Sequence, residues 1–119
     1  MDLSEPSYDG VQPFDGYGPG FFRIGGLVHG GPQLVHGMTV TPWDGTASAL
    51  VALAGTVDVI LYGTGAEIAH PPGDLRVACE DAGIGLEAMQ TPAACRTYNV
   101  LVGEGRRVAA AVLPVGEAG

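Results

Sequence analysis

The stretch TPAACRTYNVL, Thr91 to Leu101, gathers a thiol, a guanidinium, two hydroxyls, a phenol and an amide within eleven residues. Two kinds of chemistry suit such a set. A cysteine near a helix start, beside an arginine, is placed for a lowered thiol pKa and for nucleophilic attack if a base lies within reach. Arg96 and Asn99, three residues apart, could hold a carboxylate or a phosphate, because free backbone N–H groups and the macrodipole favour an anion at a helix N-terminus. Thr91 and Pro92 mark that start, the first as an N-cap hydroxyl and the second as the proline of the first helical position. Thr91, Cys95 and Asn99 then share one face, and Ala94, Tyr98, Leu101 and Val102 form the apolar side. The plainer alternatives are Cys95 as a small buried residue and Arg96 as an ion-pair partner of Asp58 or Glu67.

A second candidate is Gly63-Thr64-Gly65, which follows the apolar run Val57–Tyr62. Ligand sites in open α/β sheets lie beyond the carboxyl ends of strands, and glycines there let a backbone approach a ligand. Neither GxGxxG nor GxxxxGK[ST] is present, and His70, Pro71 and Pro72 separate the glycines from the next helix. A phosphate cradle and a tight turn that needs positive φ are both open. The histidines (His29, His36, His70) have no metal-ligand spacing, so no metal and no cofactor is expected. Trp43 reads as a rim or core anchor whose N–H wants a partner if buried. Asp58, inside an otherwise apolar run, is either hydrogen-bonded structurally or part of the site.

The elements that must position these groups follow from hydrophobic period and turn residues. Residues 1–20 read as an extended arm with little regular structure, rich in glycine and proline over 13–20. Short extended segments are predicted at Phe21–Ile24, Leu27–His29, Gln33–His36 and Met38–Thr41, bent at Gly25-Gly26 and Gly37. A helix over Ala47–Ala54 closes at Gly55. Strand Val57–Tyr62, helix Asp74–Ala82, strand Gly85–Met89, helix Thr91–Val102 and strand Val108–Leu113 complete the chain. Arg76 and Glu80 form an i, i+4 pair on the second helix. Alternating strands and helices imply a three-layer α/β domain over 21–119, with a central mixed, mostly parallel sheet, helices on its faces and a β-rich N-terminal flank.

Composition narrows the function. The chain has 119 residues, 46% of them hydrophobic, which suits one domain with a real core. All five basic residues are arginines and the net charge is −8. Nucleic acid and anionic lipid need a basic surface, so both are excluded as partners, whereas a protein with a basic patch is not. Cys79 and Cys95 form no CxxC pair, and both are expected reduced. The start MDLSEPSYDG is acidic and polar, unlike a signal or transit peptide, and no apolar run approaches the ~20 residues of a membrane helix. A cytoplasmic location is expected.

VDVILYGTG, EDAGIGLEAMQT and PAACRTYNVLVGEGRRVAAAVLP, with GPGFFRIGGLVHGGPQLVHGMTVTPW before them, closely resemble the respiratory complex I assembly factor 3 family, small single-domain proteins with many uncharacterised bacterial and archaeal members. The resemblance covers roughly Phe21 to Leu113. It implies a three-layer α/β fold, no established catalysis and a chaperone-like role in assembling a membrane enzyme. Carried over residue by residue, the family pattern marks Gly63, Thr64, Gly65, Thr91, Ala94, Cys95, Arg96, Thr97, Tyr98 and Asn99. The start MDLSEPSYDG is unlike the targeting segment of the mitochondrial members, so a bacterial member is expected. The expected function is a non-enzymatic assembly or biogenesis factor that binds a protein partner, with no catalytic residue; a homodimer is admitted. The alternative is a site for an anionic ligand, binding or catalytic, formed by Gly63, Thr64, Gly65, Thr91, Cys95, Arg96, Thr97 and Asn99.

Overall fold

The computed structural model describes residues 10–116. Strands β1 (Phe14–Gly18), β2 (Phe21–Ile24) and β3 (Leu27–Gly30) form an antiparallel sheet in that order. The second half of the expected arm is therefore a strand, and the part before residue 10 lies outside the described residues. The β2–β3 turn shows why a glycine pair stands there: Gly25 and Gly26 have φ of +57° and +85°. Positive φ at both central residues is what a type I′ hairpin turn requires, and only glycine adopts it freely.

A second sheet has the order β5-β4-β8-β6-β7, built from β4 (Gln33–His36), β5 (Thr39–Pro42), β6 (Val59–Gly63), β7 (Gly85–Met89) and β8 (Val108–Val112). β6 pairs in parallel with β7 and β8, while β4 pairs antiparallel with β5 and β8. The sheet is mixed, with its parallel half built by the back of the chain, as strand–helix alternation requires. The front half both extends this sheet (β4, β5) and flanks it (β1–β3).

Helices α1 (Ala47–Val51) and α2 (Gly73–Asp81) cover one face and α3 (Thr91–Gly103) the other. Side chains alternate along the central strands. Leu61, Ala110 and Val112 point to the layer formed by α3 and the small sheet, where Phe14, Phe22, Ile24 and Tyr98 pack. Ile60, Tyr62, Ala109 and Ala111 point to α1 and α2, with Trp43, Leu50, Leu75 and Cys79. Three alanines in β8 let helices approach a strand that is buried throughout. The domain is thus a three-layer α/β sandwich. Trp43 is a core anchor whose Nε1–H donates to the Thr46 carbonyl at 3.1 Å.

Asp58 lies just outside the strand and not within it, and takes the first of its two readings, a structural hydrogen bond. β6 begins one residue later, so Asp58 stays exposed and binds Arg107 at the start of neighbouring β8, with Nη2 to Oδ1 at 2.7 Å. This is the ion pair among the described residues; Arg96 does not bind Asp58 or Glu67, and Arg76 and Glu80 do not pair. Cys79 and Cys95 are free and lie on opposite faces of the large sheet, which stands between them.

Candidate functional site

α3 starts at the carboxyl end of β7, next to the carboxyl ends of β6 and β8. That is where an open α/β sheet keeps a ligand. Here the place is occupied by the chain itself. The Thr91 side chain is fully buried. Its Oγ1 accepts the Gly65 N–H at 2.8 Å and donates to the Leu113 carbonyl at 2.7 Å. The Thr91 N–H reaches the Gly65 carbonyl at 2.9 Å, the Thr64 N–H the Met89 carbonyl at 2.9 Å, and the Leu113 N–H the Gly63 carbonyl at 2.9 Å. One hydroxyl thus ties together the segments that leave β6 and β8 and the start of α3.

Glycine is needed on both sides of Thr64. A Cβ on Gly63 would stand 2.7 Å from Thr91 Oγ1 and 2.9 Å from Val112 Cγ1, and Gly65 has φ +95°. Of the two readings open for the Gly-Thr-Gly segment, the geometry is that of a tight turn closed against α3. Thr64 Oγ1 donates to the Glu67 carbonyl and holds the following loop.

The N-terminus of α3 differs from the sequence expectation in two ways. Thr91 does not cap its own helix; it is the first helical residue, after Gln90, and its hydroxyl is spent across the sheet end. The Thr91 N–H goes to Gly65, Pro92 has none and the Ala94 N–H binds the Gln90 carbonyl. Two of the four N–H positions that a helix start leaves free, those of Thr91 and Pro92, therefore offer nothing to an anion.

Cys95 belongs to the buried face with Ala94 and Tyr98. Burial pushes its thiol pKa up to about 12, and the Arg96 charge offsets this only in part. Desolvation thus works against the lowered thiol pKa that an activated nucleophile needs. The Tyr98 hydroxyl is likewise raised by burial and has no partner.

Asn99 has a role that sequence reasoning missed. Its Oδ1 accepts the Phe14 N–H and its Nδ2 donates to the Phe14 carbonyl, both at 2.8 Å. The amide imitates one residue of a neighbouring strand and covers the free edge of β1 at that point. The Phe14 ring meets Tyr98 and Phe22 edge-on at 5.5 and 5.8 Å. Beyond the clamp, a groove of about 160 Å³ runs between β1 and α3, lined by Phe14, Asp15, Tyr17, Pro92, Arg96 and Asn99. Arg96 and Tyr17 are exposed on it.

The marked residues thus divide. Gly63, Thr64, Gly65 and Thr91 form a closed node. Cys95, Arg96 and Asn99 line the β1–α3 groove, and Thr97 lies half-buried on α3 outside both. The groove's other wall, Phe14 to Tyr17, carried no local signal beyond its aromatics.

The domain is thus a three-layer α/β sandwich whose three-stranded flank is clamped to its last helix. The chain belongs to the family described as "Protein of unknown function (DUF498/DUF598)", which matches residues 14–113. An uncharacterised protein of Rhodobacter capsulatus is 54% identical over 97% of this chain and 94% of its own length. NADH dehydrogenase [ubiquinone] 1 alpha subcomplex assembly factor 3 of Danio rerio is 30% identical over 82% of this chain, and the match spans 62% of that protein's length. Among solved structures, one titled as an outer membrane protein from Bartonella henselae superposes with a TM-score of 0.81 at 34% identity, covering 88% of this chain and 96% of that one. The resemblance to the complex I assembly factor is therefore real. No helix of the described residues is long and apolar enough to cross a membrane.

Proposed function

We propose that this protein is a non-enzymatic assembly or biogenesis factor of the cytoplasm, and that it holds a subunit of a membrane complex through the β1–α3 groove. The observation that carries the reading is the state of the groove. β1 is an edge strand, paired on one side with β2 and, among the described residues, hydrogen-bonded on the other only at Phe14, by Asn99. An edge of this kind accepts an extended segment through its backbone groups. Arg96 stands exposed on the lip with no ion-pair partner among the described residues, ready for a carboxylate of that segment. Tyr17 adds an exposed ring of the kind enriched at binding hot spots. The likeness to an assembly factor supports the same reading.

The test is affinity capture of the tagged protein from gently solubilised cells, beside Arg96→Ala shown to be folded by an unchanged melting temperature. The expected result is a stoichiometric subunit of a membrane complex with the wild type and its loss with the variant. Equal recovery by both forms would move the interface elsewhere, and recovery of nothing but the chain itself would favour a homodimer.

A further inference from the structure

A second cavity lies at the opposite end of the sheet from the Thr91 node. β8 starts just after the pair Arg106-Arg107, and antiparallel β4 ends beside it at His36. The Gln12 N–H bonds the Gly37 carbonyl at 3.0 Å, which brings Val11 across as a wall. Between them is a space of about 200 Å³. Val57, Val102 and Val108 form its buried floor, and His36, Arg106 and Arg107 stand around it.

The charge balance here is unusual for this chain. Its net charge is −8, with five arginines and no lysine, yet two of those arginines and one of three histidines line one small cavity. Among the described residues no carboxylate lines it. The nearby carboxylate, Asp58, is taken by Arg107, through Nη2 at 2.7 Å and Nε at 3.3 Å, and Arg107 Nη1 also reaches the Gly55 carbonyl at 3.3 Å. Asp58 feels Arg106 only as a weaker, through-space charge. Arg107 is therefore neutralised and held, and Arg106, beside a valine-floored hollow, makes no ion pair among the described residues.

We propose that this cavity binds a carboxylate carried on a short, branched apolar stem, the stem against the valines and the carboxylate on Arg106. Its volume of about 200 Å³ suits a four- or five-carbon acid. A strongly hydrated dianion such as sulfate would lose its water against valines without enough donors to replace it. Two sources present the fitting chemistry, a free short-chain acid and the C-terminal residue of a polypeptide ending in valine or leucine. The site is separate from the β1–α3 groove and does not depend on the assembly role.

The experiment is an amide-resolved NMR titration of the full chain with three probes: isovalerate, a short peptide ending in leucine with a free carboxylate, and the same peptide as its C-terminal amide. Expected are saturable shifts at Thr56, Val57, Val102 and Val108 with isovalerate in the millimolar range. Arg106→Gln weakens binding about tenfold to a hundredfold, as loss of a charge-assisted contact should. Arg76→Gln, which removes the same charge from an exposed position on α2, leaves the affinity within about twofold. Val11→Glu, a carboxylate set into the wall, also abolishes the shifts. A free-acid peptide that binds tighter than isovalerate, with a silent amide, assigns the source to a polypeptide terminus; isovalerate binding as tightly as the peptide assigns it to a free acid. Absence of saturable shifts with every probe, or equal affinity in Arg106→Gln, overturns the proposal.

Discussion

Replacing Thr91 by valine keeps the side chain's volume and removes one hydroxyl. That buried hydroxyl accepts from the buried Gly65 N–H and donates to the half-buried Leu113 carbonyl. The substitution leaves a buried N–H and a half-buried carbonyl without this partner, and a buried group so left costs about 1–3 kcal/mol. The Thr91 backbone bond to Gly65 survives and keeps the segments near their places, so the expected loss is about 2–4 kcal/mol. For a domain of this size that is a fall in melting temperature of roughly 10 °C. Thr91→Ser keeps the hydroxyl, loses one methyl group, and should cost only about 1 kcal/mol. The assay is urea unfolding followed by far-UV circular dichroism, with the melting temperature as a check. A Thr91→Val protein within about 0.5 kcal/mol of wild type would refute the node as a stabilising lock. Partner binding that disappeared in a fully stable Thr91→Val protein would point to a ligand role for the hydroxyl instead.

The other expectations concern the same motif and the ion pair. Gly63→Ala forces a Cβ to 2.7 Å from Thr91 Oγ1 and should destabilise by about 1–3 kcal/mol in the same unfolding assay. Asn99→Ala frees the edge of β1, so hydrogen exchange at the Phe14 amide should accelerate well beyond that of β6 amides. The Cys95 thiol, raised to about 12 by burial, should resist alkylation at pH 8 in the native protein and react once urea unfolds it. Because its folded pKa lies above its unfolded one, the neutral thiol's contribution is intact below about pH 9 and lost as pH rises toward 12, so alkaline unfolding should shift in Cys95→Ala. The Asp58 carboxyl is lowered by its hydrogen bond to Arg107, so the pair's contribution is present above the ordinary carboxylate range and fades as pH falls through the lowered value. Asp58→Asn should lower stability slightly at neutral pH, where the pair is charged, and leave it unchanged at acid pH, so the acid limb of a stability–pH curve flattens.

The sheet was legible because β6 and β8 are buried on both faces and read as unbroken apolar runs. The start of α3 was legible to within a residue because proline is tolerated in the first turn of a helix and not in its interior. β1 was not legible. PFDGYGPG has the composition of turns, and the strand exists because β2 pairs with it and Asn99 clamps it, 85 positions away in sequence. The same distance problem governs the motif. Helical spacing correctly set Ala94, Tyr98 and Val102 on the buried side. It could not show that Thr91 bonds residues 26 and 22 positions off in sequence rather than its own helix. Cys95 looked activated beside Arg96 because adjacency in sequence says nothing about desolvation, which dominates once the face is buried.

The central claim is that a partner segment lies along β1 beside Arg96. Its most direct test is site-specific photo-crosslinking in living cells, with p-benzoylphenylalanine at Tyr17 in the groove and, separately, at Ile68, an exposed apolar position that does not line the groove. The account expects an adduct from Tyr17 to one membrane-complex subunit, lost when Arg96→Ala is added, and none to that subunit from Ile68. Crosslinks from Ile68 alone, or a Tyr17 adduct indifferent to Arg96, would contradict it.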